Sequence, residues 1–103
     1  MSQVPRLDKM ASGHHALILE SNVSASDFHD LAQKWIKTLK LKLRDKASGG
    51  DEIAWTCYKN KSKFWLSWDI WFTNISLEPQ NTNSAKTVRE IGVSLGITNL
   101  KDE

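Results

Sequence analysis

The segment from Phe64 to Glu78 constrains the fold of this 103-residue chain most, because it holds three of the five tryptophans and two of the three phenylalanines. A large aromatic side chain can bury about 150–250 Å². Any core that the chain builds must therefore form around this segment. We interpret it as two strands joined by a tight connection.

A change of phase inside the segment supports this interpretation. Apolar side chains occupy the even positions from Phe64 to Trp68, whereas Ile75 and Leu77 occupy odd positions. Successive side chains of a strand point to opposite faces, so a slip of one residue would send every later side chain to the wrong face. A turn or bulge is therefore predicted within residues 70–74.

Two helices flank the strand region. Apolar residues recur at helical spacing from Phe28 to Leu39, after a start at Ser24 and Asp27 that resembles a capping box, with Ser26 as an alternative N-cap. A second, weaker amphipathic pattern follows the N-cap-rich residues 81–84. We expect it to end near Gly96, a favourable C′ residue.

Shorter patterns predict the remaining strands. The apolar run His15–Glu20 is typical of a buried strand, and residues 53–57 alternate between apolar and polar side chains. Residues 40–45 are open to two interpretations, since the leucines there alternate with cations as in a strand but also extend the first helix. The order is β-α-β-β-β-β-α, which predicts an α+β fold with an antiparallel sheet of four to five strands and two helices on one face.

Length and composition indicate one domain. We expect residues 1–12 to be loosely ordered, residues 13–96 to form the α+β domain and residues 97–103 to be a frayed tail. The chain starts without a secretory signal pattern and has a single cysteine, Cys57. These features favour a cytoplasmic location and give no sign of a membrane segment.

Positive charge is concentrated in the middle of the chain. Residues 34–63 carry nine basic and three acidic side chains, whereas the rest carries five basic and nine acidic ones. A positive groove interleaved with aromatic residues is typical of single-strand nucleic-acid binders, although lysines also protect sheet edges from aggregation. The candidate nucleic-acid surface consists of Lys40, Lys42, Arg44, Lys59, Lys61 and Lys63.

The chemistry-bearing residues do not form a recognisable catalytic or metal motif. His14 and His15 would point to opposite faces of a strand, where they could hardly bind one metal ion together. Cys57 is expected to be a small buried apolar residue. Asp69 and Glu78 lie on adjacent predicted strands, where a hairpin could bring two carboxylates as close as a hydrolase needs. Outward, solvated carboxylates are far commoner, so we expect no catalytic, metal or cofactor site.

Trp65 and Trp71 stand outside the apolar face of the predicted strands. An exposed tryptophan in an apolar patch often marks a protein interface. The pattern does not decide which of the two is exposed. Together they form the candidate interaction surface, for a protein partner or a second copy of the chain.

The segments 64–71 and 75–78, set between an aromatic-bearing helix and a last helix, resemble a family of small, chiefly gammaproteobacterial proteins of unknown function. The similarity is one of pattern over about residues 15–95. It implies a bacterial cytoplasmic domain and no catalytic residue. We therefore expect a non-enzymatic protein-interaction or self-associating module, with nucleic-acid binding through the basic residues 40–63 as the alternative.

Overall fold

The computed structural model describes residues 4–97 and shows an α+β fold of one antiparallel sheet and two helices. The elements in chain order are β1 (Arg6–Lys9), β2 (His15–Glu20), α1 (Ala25–Leu39), β3 (Lys42–Ser48), β4 (Glu52–Lys59), β5 (Ser62–Asp69), β6 (Ile75–Pro79) and α2 (Thr82–Ser94). Neither helix has the length and apolar run that crossing a bilayer requires.

The sheet has six strands in the order β1-β2-β6-β5-β4-β3, and every neighbouring pair is antiparallel. Strands β3 to β6 follow one another as a meander. Helix α1 connects β2, the second strand of the sheet, to β3 at the far edge, so this connection passes over β6, β5 and β4. The central strands β5 and β6 are those that the aromatic segment predicted.

The register of β5 divides its side chains between two faces. Phe64, Leu66 and Trp68 are buried towards the helices, opposite Cys57, Trp55 and Ile53 of β4. Residues paired across an antiparallel ladder share a face. The odd-numbered side chains of β5, from Lys63 to Asp69, therefore all lie on the opposite face of the sheet.

Both helices pack on the same face of the sheet and complete one apolar core. In α1, the Phe28 ring meets the Trp55 ring edge-on, with 5.1 Å between centroids. In α2, Val88 and Ile91 are buried in the same core. The Trp68 indole Nε1–H donates to the Val23 carbonyl oxygen at 2.7 Å, so the polar edge of this buried ring is also satisfied.

The predicted phase change is confirmed at the β5–β6 connection. Strand β5 ends at Asp69 and β6 begins at Ile75. The Asp69 carboxylate accepts hydrogen bonds from the backbone N–H groups of Trp71 and Phe72, at 3.0 and 2.8 Å. Thr73 then adopts a positive φ of 54°. This turn resets the alternation so that Ile75 again faces the core.

The prediction of four to five strands is wrong by one or two, because residues 6–9, expected to be loosely ordered, form β1. Leu7 of this strand is buried and lies against Gly92 and near Ile97. A Cβ atom at Gly92 would lie 3.3 Å from the Ile97 side chain, so a larger residue inside α2 would require Ile97 to shift. Of the predicted frayed tail, Ile97 is buried and residues 98–103 lie outside the described residues.

The structure decides two local questions at the ends of α1. The helix ends at Leu39, and Lys40 adopts a left-handed conformation with φ 58°, so residues 42–48 form a strand rather than a helix extension. Ser24 is the N-cap residue as predicted, but its side chain makes no capping bond. Its hydroxyl lies 3.0 Å from that of Ser26 instead.

Replacing Ser84 with alanine is expected to lower the free energy of unfolding by about 2 kcal/mol. The Ser84 hydroxyl, fully buried at the start of α2, accepts from the backbone N–H groups of Gln80 and Asn81, both at 2.9 Å. Alanine would leave both donors without this acceptor. Urea unfolding measures the change. Ser94→Ala, which removes a hydroxyl that only donates to the Ile91 carbonyl, is the control and should cost less than about 0.5 kcal/mol.

Candidate interaction surface

The face of the sheet opposite the helices, called the open face below, is covered by no helix or strand of residues 4–97. Its central side chain is Trp65, which is 41% exposed and pairs across the sheet with Thr56 on one side and Glu78 on the other. A tryptophan at the centre of an uncovered sheet face is the first feature of this surface that points to binding.

Small side chains form a trough beside Trp65. Ala47, Ala54, Ser67 and Ser76 lie in one row across β3, β4, β5 and β6. Because these side chains are short, the surface sinks at this row. The depression has a volume of about 480 Å³, and Trp65 forms part of its wall. The open face therefore combines a raised indole with an adjacent hollow.

Charges of opposite sign occupy the two ends of the open face. At one end, Lys42, Tyr58 and Lys63 are aligned across three strands, and the Arg44 guanidinium lies 5.7 Å from the centre of the Tyr58 ring. We call this the basic end. At the other end, Glu52 and Asp69 are paired across β4 and β5, which we call the acidic end.

The β5–β6 turn beside the acidic end exposes three large apolar side chains in succession. Ile70 is 48% exposed, Trp71 80% and Phe72 73%. We call this segment the aromatic turn. Hydrogen bonds fix its backbone: the Ile70 N–H donates to the Asp51 carbonyl at 2.9 Å and the Thr73 N–H to the Asp69 carbonyl at 2.8 Å. The exposed side chains are therefore presented from a defined backbone.

Both tryptophans of the candidate interaction surface are exposed, which answers the question that the sequence left open. Trp65 lies on the open face itself, and Trp71 lies on the aromatic turn at its edge. Phe72 lines a second hollow of the open face, together with Asp69 and Glu78. The turn and the face are thus continuous through Phe72.

The structure does not bring the six cations of the candidate nucleic-acid surface together on one face. Lys42, Arg44 and Lys63 lie at the basic end. The Lys59 ammonium instead donates to the Leu39 carbonyl at 2.8 Å, at the end of α1. Lys40 caps that helix, and Lys61 lies in the β4–β5 turn.

Glu78 is an acid of the open face whose pKa is shifted by its surroundings. Burial raises its pKa above the ordinary value, and the nearby carboxylates of Asp69 and Glu52 raise it further. The Ser67 hydroxyl, which donates to Glu78 Oε2 at 2.9 Å, acts in the opposite direction. Arg6 and Asp8 line the second hollow together with Glu78, and they form an ion pair with each other at 3.1 Å.

Replacing Glu78 with glutamine is expected to raise the free energy of unfolding at pH 7 by up to about 1 kcal/mol. A carboxyl whose pKa is raised by folding contributes stability below its unfolded pKa and loses it as the pH rises through the folded value. The gain should therefore shrink towards zero at about pH 3. Urea unfolding at both pH values tests this, with the exposed Glu90→Gln as the control. A loss of stability at neutral pH would contradict the account.

Cys57 and Asp69, the other candidate reactive residues of the described part of the chain, have structural surroundings. Burial raises the pKa of the Cys57 thiol from 9.0 to about 11, so the nucleophilic thiolate is disfavoured. One carboxylate oxygen of Asp69 accepts hydrogen bonds from the backbone N–H groups of Trp71 and Phe72. Among residues 4–97, no three histidine, cysteine or acidic side chains lie close enough together to hold a metal ion.

Sequence reasoning missed Ile70 and Phe72 of the aromatic turn, and it missed Glu52 as a second acid near Glu78, beside Asp69. The two apolar residues lie where the strand phase changes, so alternation assigned them to neither face. The run of three apolar residues from Ile70 to Phe72, between the polar Asp69 and Thr73, was the available signal. No family model, curated protein or solved structure matches the chain. The family resemblance stays a prediction.

Proposed function

We propose that this chain is a non-enzymatic protein-interaction module that makes its contact through the open face and the aromatic turn. The observation that carries the proposal is the succession of Ile70, Trp71 and Phe72 at the surface, beside an uncovered sheet face with Trp65 at its centre. Contiguous exposed apolar side chains are uncommon on monomeric proteins and mark interaction sites. A cytoplasmic location, with a reduced Cys57, is part of the proposal.

The geometry supports binding more than catalysis. Tryptophan is enriched among the residues that contribute most to protein–protein affinity. Hydrogen bonds to the Asp69 carboxylate and to the neighbouring backbone fix the main chain of the aromatic turn, so little backbone conformational entropy is lost when the turn is covered. The hollows of the open face are open depressions rather than enclosed cavities.

Site-specific photo-crosslinking in the producing cells tests the proposal. A photoreactive phenylalanine analogue is placed at position 72 and, as the control, at Val93, an apolar residue on α2 that is 56% exposed. We expect protein adducts from position 72 and none from position 93. Adding Trp65→Ser and Trp71→Ser should remove most of the adducts. Equal adducts from both positions, or none from either, would overturn the proposal.

Nucleic-acid binding is the second candidate, supported by the cluster of Lys42, Arg44 and Lys63 around Tyr58 at the basic end. Phosphate contacts make affinity depend on salt, with a slope of about −0.7 per contact for single strands. Three phosphate contacts therefore predict that the logarithm of the binding constant falls with the logarithm of the salt concentration with a slope of about −2. Fluorescence anisotropy with a labelled oligonucleotide at several salt concentrations tests this. Binding that survives charge reversal of the three cations would exclude this surface.

A further inference from the structure

We propose that the occupant of the open face is a second copy of this chain, packed face to face about a twofold axis that runs across the strands. This inference deepens the proposed function and rests on it. The axis lies in the plane of the interface, between the row of Trp65 and the row of Ser67. Such a rotation keeps each strand over its equivalent in the other copy and exchanges the two ends of the open face.

The order of charges on the face fits this rotation. Along β5, the outward positions are Lys63, Trp65, Ser67 and Asp69. The rotation places Lys63 of one copy over Asp69 of the other, next to Glu52, which is the β4 neighbour of Asp69. Each basic end thus meets an acidic end, and the symmetry makes the contact twice. A twofold axis along the strands would instead oppose like charges.

The shape of the open face also fits this rotation. Because the rows of Trp65 and Ser67 exchange, the Trp65 indole of each copy lies over the trough of Ala54 and Ser67 in the other. Trp65 is part of the wall of that depression, so a raised side chain and a hollow lie on opposite sides of the axis. The surface is self-complementary in shape as well as in charge.

The area of the sheet is sufficient for a dimer. Strands of four to eight residues, with a rise of about 3.3 Å and a spacing of about 4.8 Å, cover about 600 Å² in projection. The side chains that stand on the sheet add to this, which brings the face close to the ~800 Å² per partner of stable interfaces. Packed sheets cross at about 30°, so equivalent strands would overlie one another most closely at the centre of the contact, around β5.

A second copy fits the face better than a partner of one charge sign. A basic partner would complement the acidic end but would be repelled by Lys42, Arg44 and Lys63. An acidic partner would complement the basic end but would be repelled by Glu52 and Asp69. The twofold contact uses the same patch on both copies, so it closes at the dimer and does not propagate into fibres. The aromatic turn of each copy then lies beside the basic end of the other.

Sedimentation velocity on the full chain, with two charge reversals, tests the proposal. Lys63→Glu and Glu52→Lys each place like charges in contact twice per homodimer, and each should weaken self-association at least about 100-fold. When the two variants are mixed, both contacts become attractive again. The mixture should therefore form a heterodimer within about tenfold of the wild-type affinity. Lys86→Glu and Glu90→Lys, exposed on α2, are the matched controls and should dimerise like the wild type.

The outcomes separate this inference from the proposed function. A monomeric wild-type chain at all concentrations, or single variants that dimerise like the wild type, would overturn the twofold arrangement. A mixture that stays monomeric would overturn it as well. Trp65→Ser provides a further variant that leaves the charges unchanged and should also be monomeric. Adducts with another protein from position 72, together with a monomeric pure chain, would overturn the dimer and support the proposed function.

Discussion

Replacing Phe64 with alanine is expected to lower the free energy of unfolding by about 3–5 kcal/mol. Phe64 is fully buried at the centre of the sheet, opposite Cys57 on one side and Pro79 on the other. Alanine would remove most of the ring contacts and leave a cavity between the central strands and the helices. Since domains of this size are stable by about 5–15 kcal/mol, the variant should be largely or wholly unfolded on mild heating.

Trp65 is the matched control because it is the next residue of the same strand and points to the opposite face. Trp65→Ala in dilute protein should change the free energy of unfolding by less than about 1 kcal/mol. Thermal unfolding followed by circular dichroism measures both variants. Equal losses of stability would show that something covers the open face in the monomer, contrary to the account.

Replacing Phe28 with alanine is the second substitution with a large expected effect, again about 3–5 kcal/mol. Phe28 is buried on α1, and its ring meets Trp55 edge-on at 5.1 Å. An aromatic pair of this geometry contributes about 0.5–1.5 kcal/mol beyond its area. Loss of the ring removes a principal contact of α1 with the sheet, so hydrogen exchange along α1 should accelerate.

Gln33, exposed on the polar side of α1, provides the control for Phe28. Gln33→Ala removes no buried contact and replaces one good helix former with a better one, so stability should stay within about 0.5 kcal/mol. Chemical unfolding measures the free energies, and amide exchange locates the change. If Phe28→Ala lowered stability without exposing α1, the ring would contribute elsewhere than to helix docking.

The sequence predicted those parts of the fold in which periodicity and local chemistry agree. Alternation in Phe64, Leu66 and Trp68 identified the core face of β5, and the change of phase located the β5–β6 turn. The second helix starts within the predicted cap-rich segment, where Asn81 and Ser84 form a reciprocal capping box. In each case, backbone preference and tertiary packing favour the same structure.

The sequence did not predict β1 because a strand of four residues offers too little alternation. Only Leu7 of this strand is buried, and its partners are Leu17 of β2 and the distant Gly92 and Ile97. A contact between the start and the end of the chain has no local signal. The capping box expected at Ser24 does not form, because the Ser24 hydroxyl contacts that of Ser26 instead.

The candidate surface was predictable in its residue types but not in its layout. Trp65 and Trp71 were identified as outside the apolar phase, and both are exposed. The order of charges along the open face depends on the register of neighbouring strands, which pairs Lys63 with Tyr58 and Glu52 with Asp69. Register is a tertiary property, so the sequence alone showed a basic stretch rather than a face with two oppositely charged ends.

The most direct test of the proposed contact surface is oxidative footprinting of the tryptophans in intact cells and in dilute purified protein. Trp71 lies on the aromatic turn and is 80% exposed, whereas Trp35 lies on α1, away from the open face. The account predicts that oxidation of Trp71 falls several-fold in cells while that of Trp35 is unchanged. Trp71 that is oxidised equally in both settings would contradict the claim that another protein chain covers this surface.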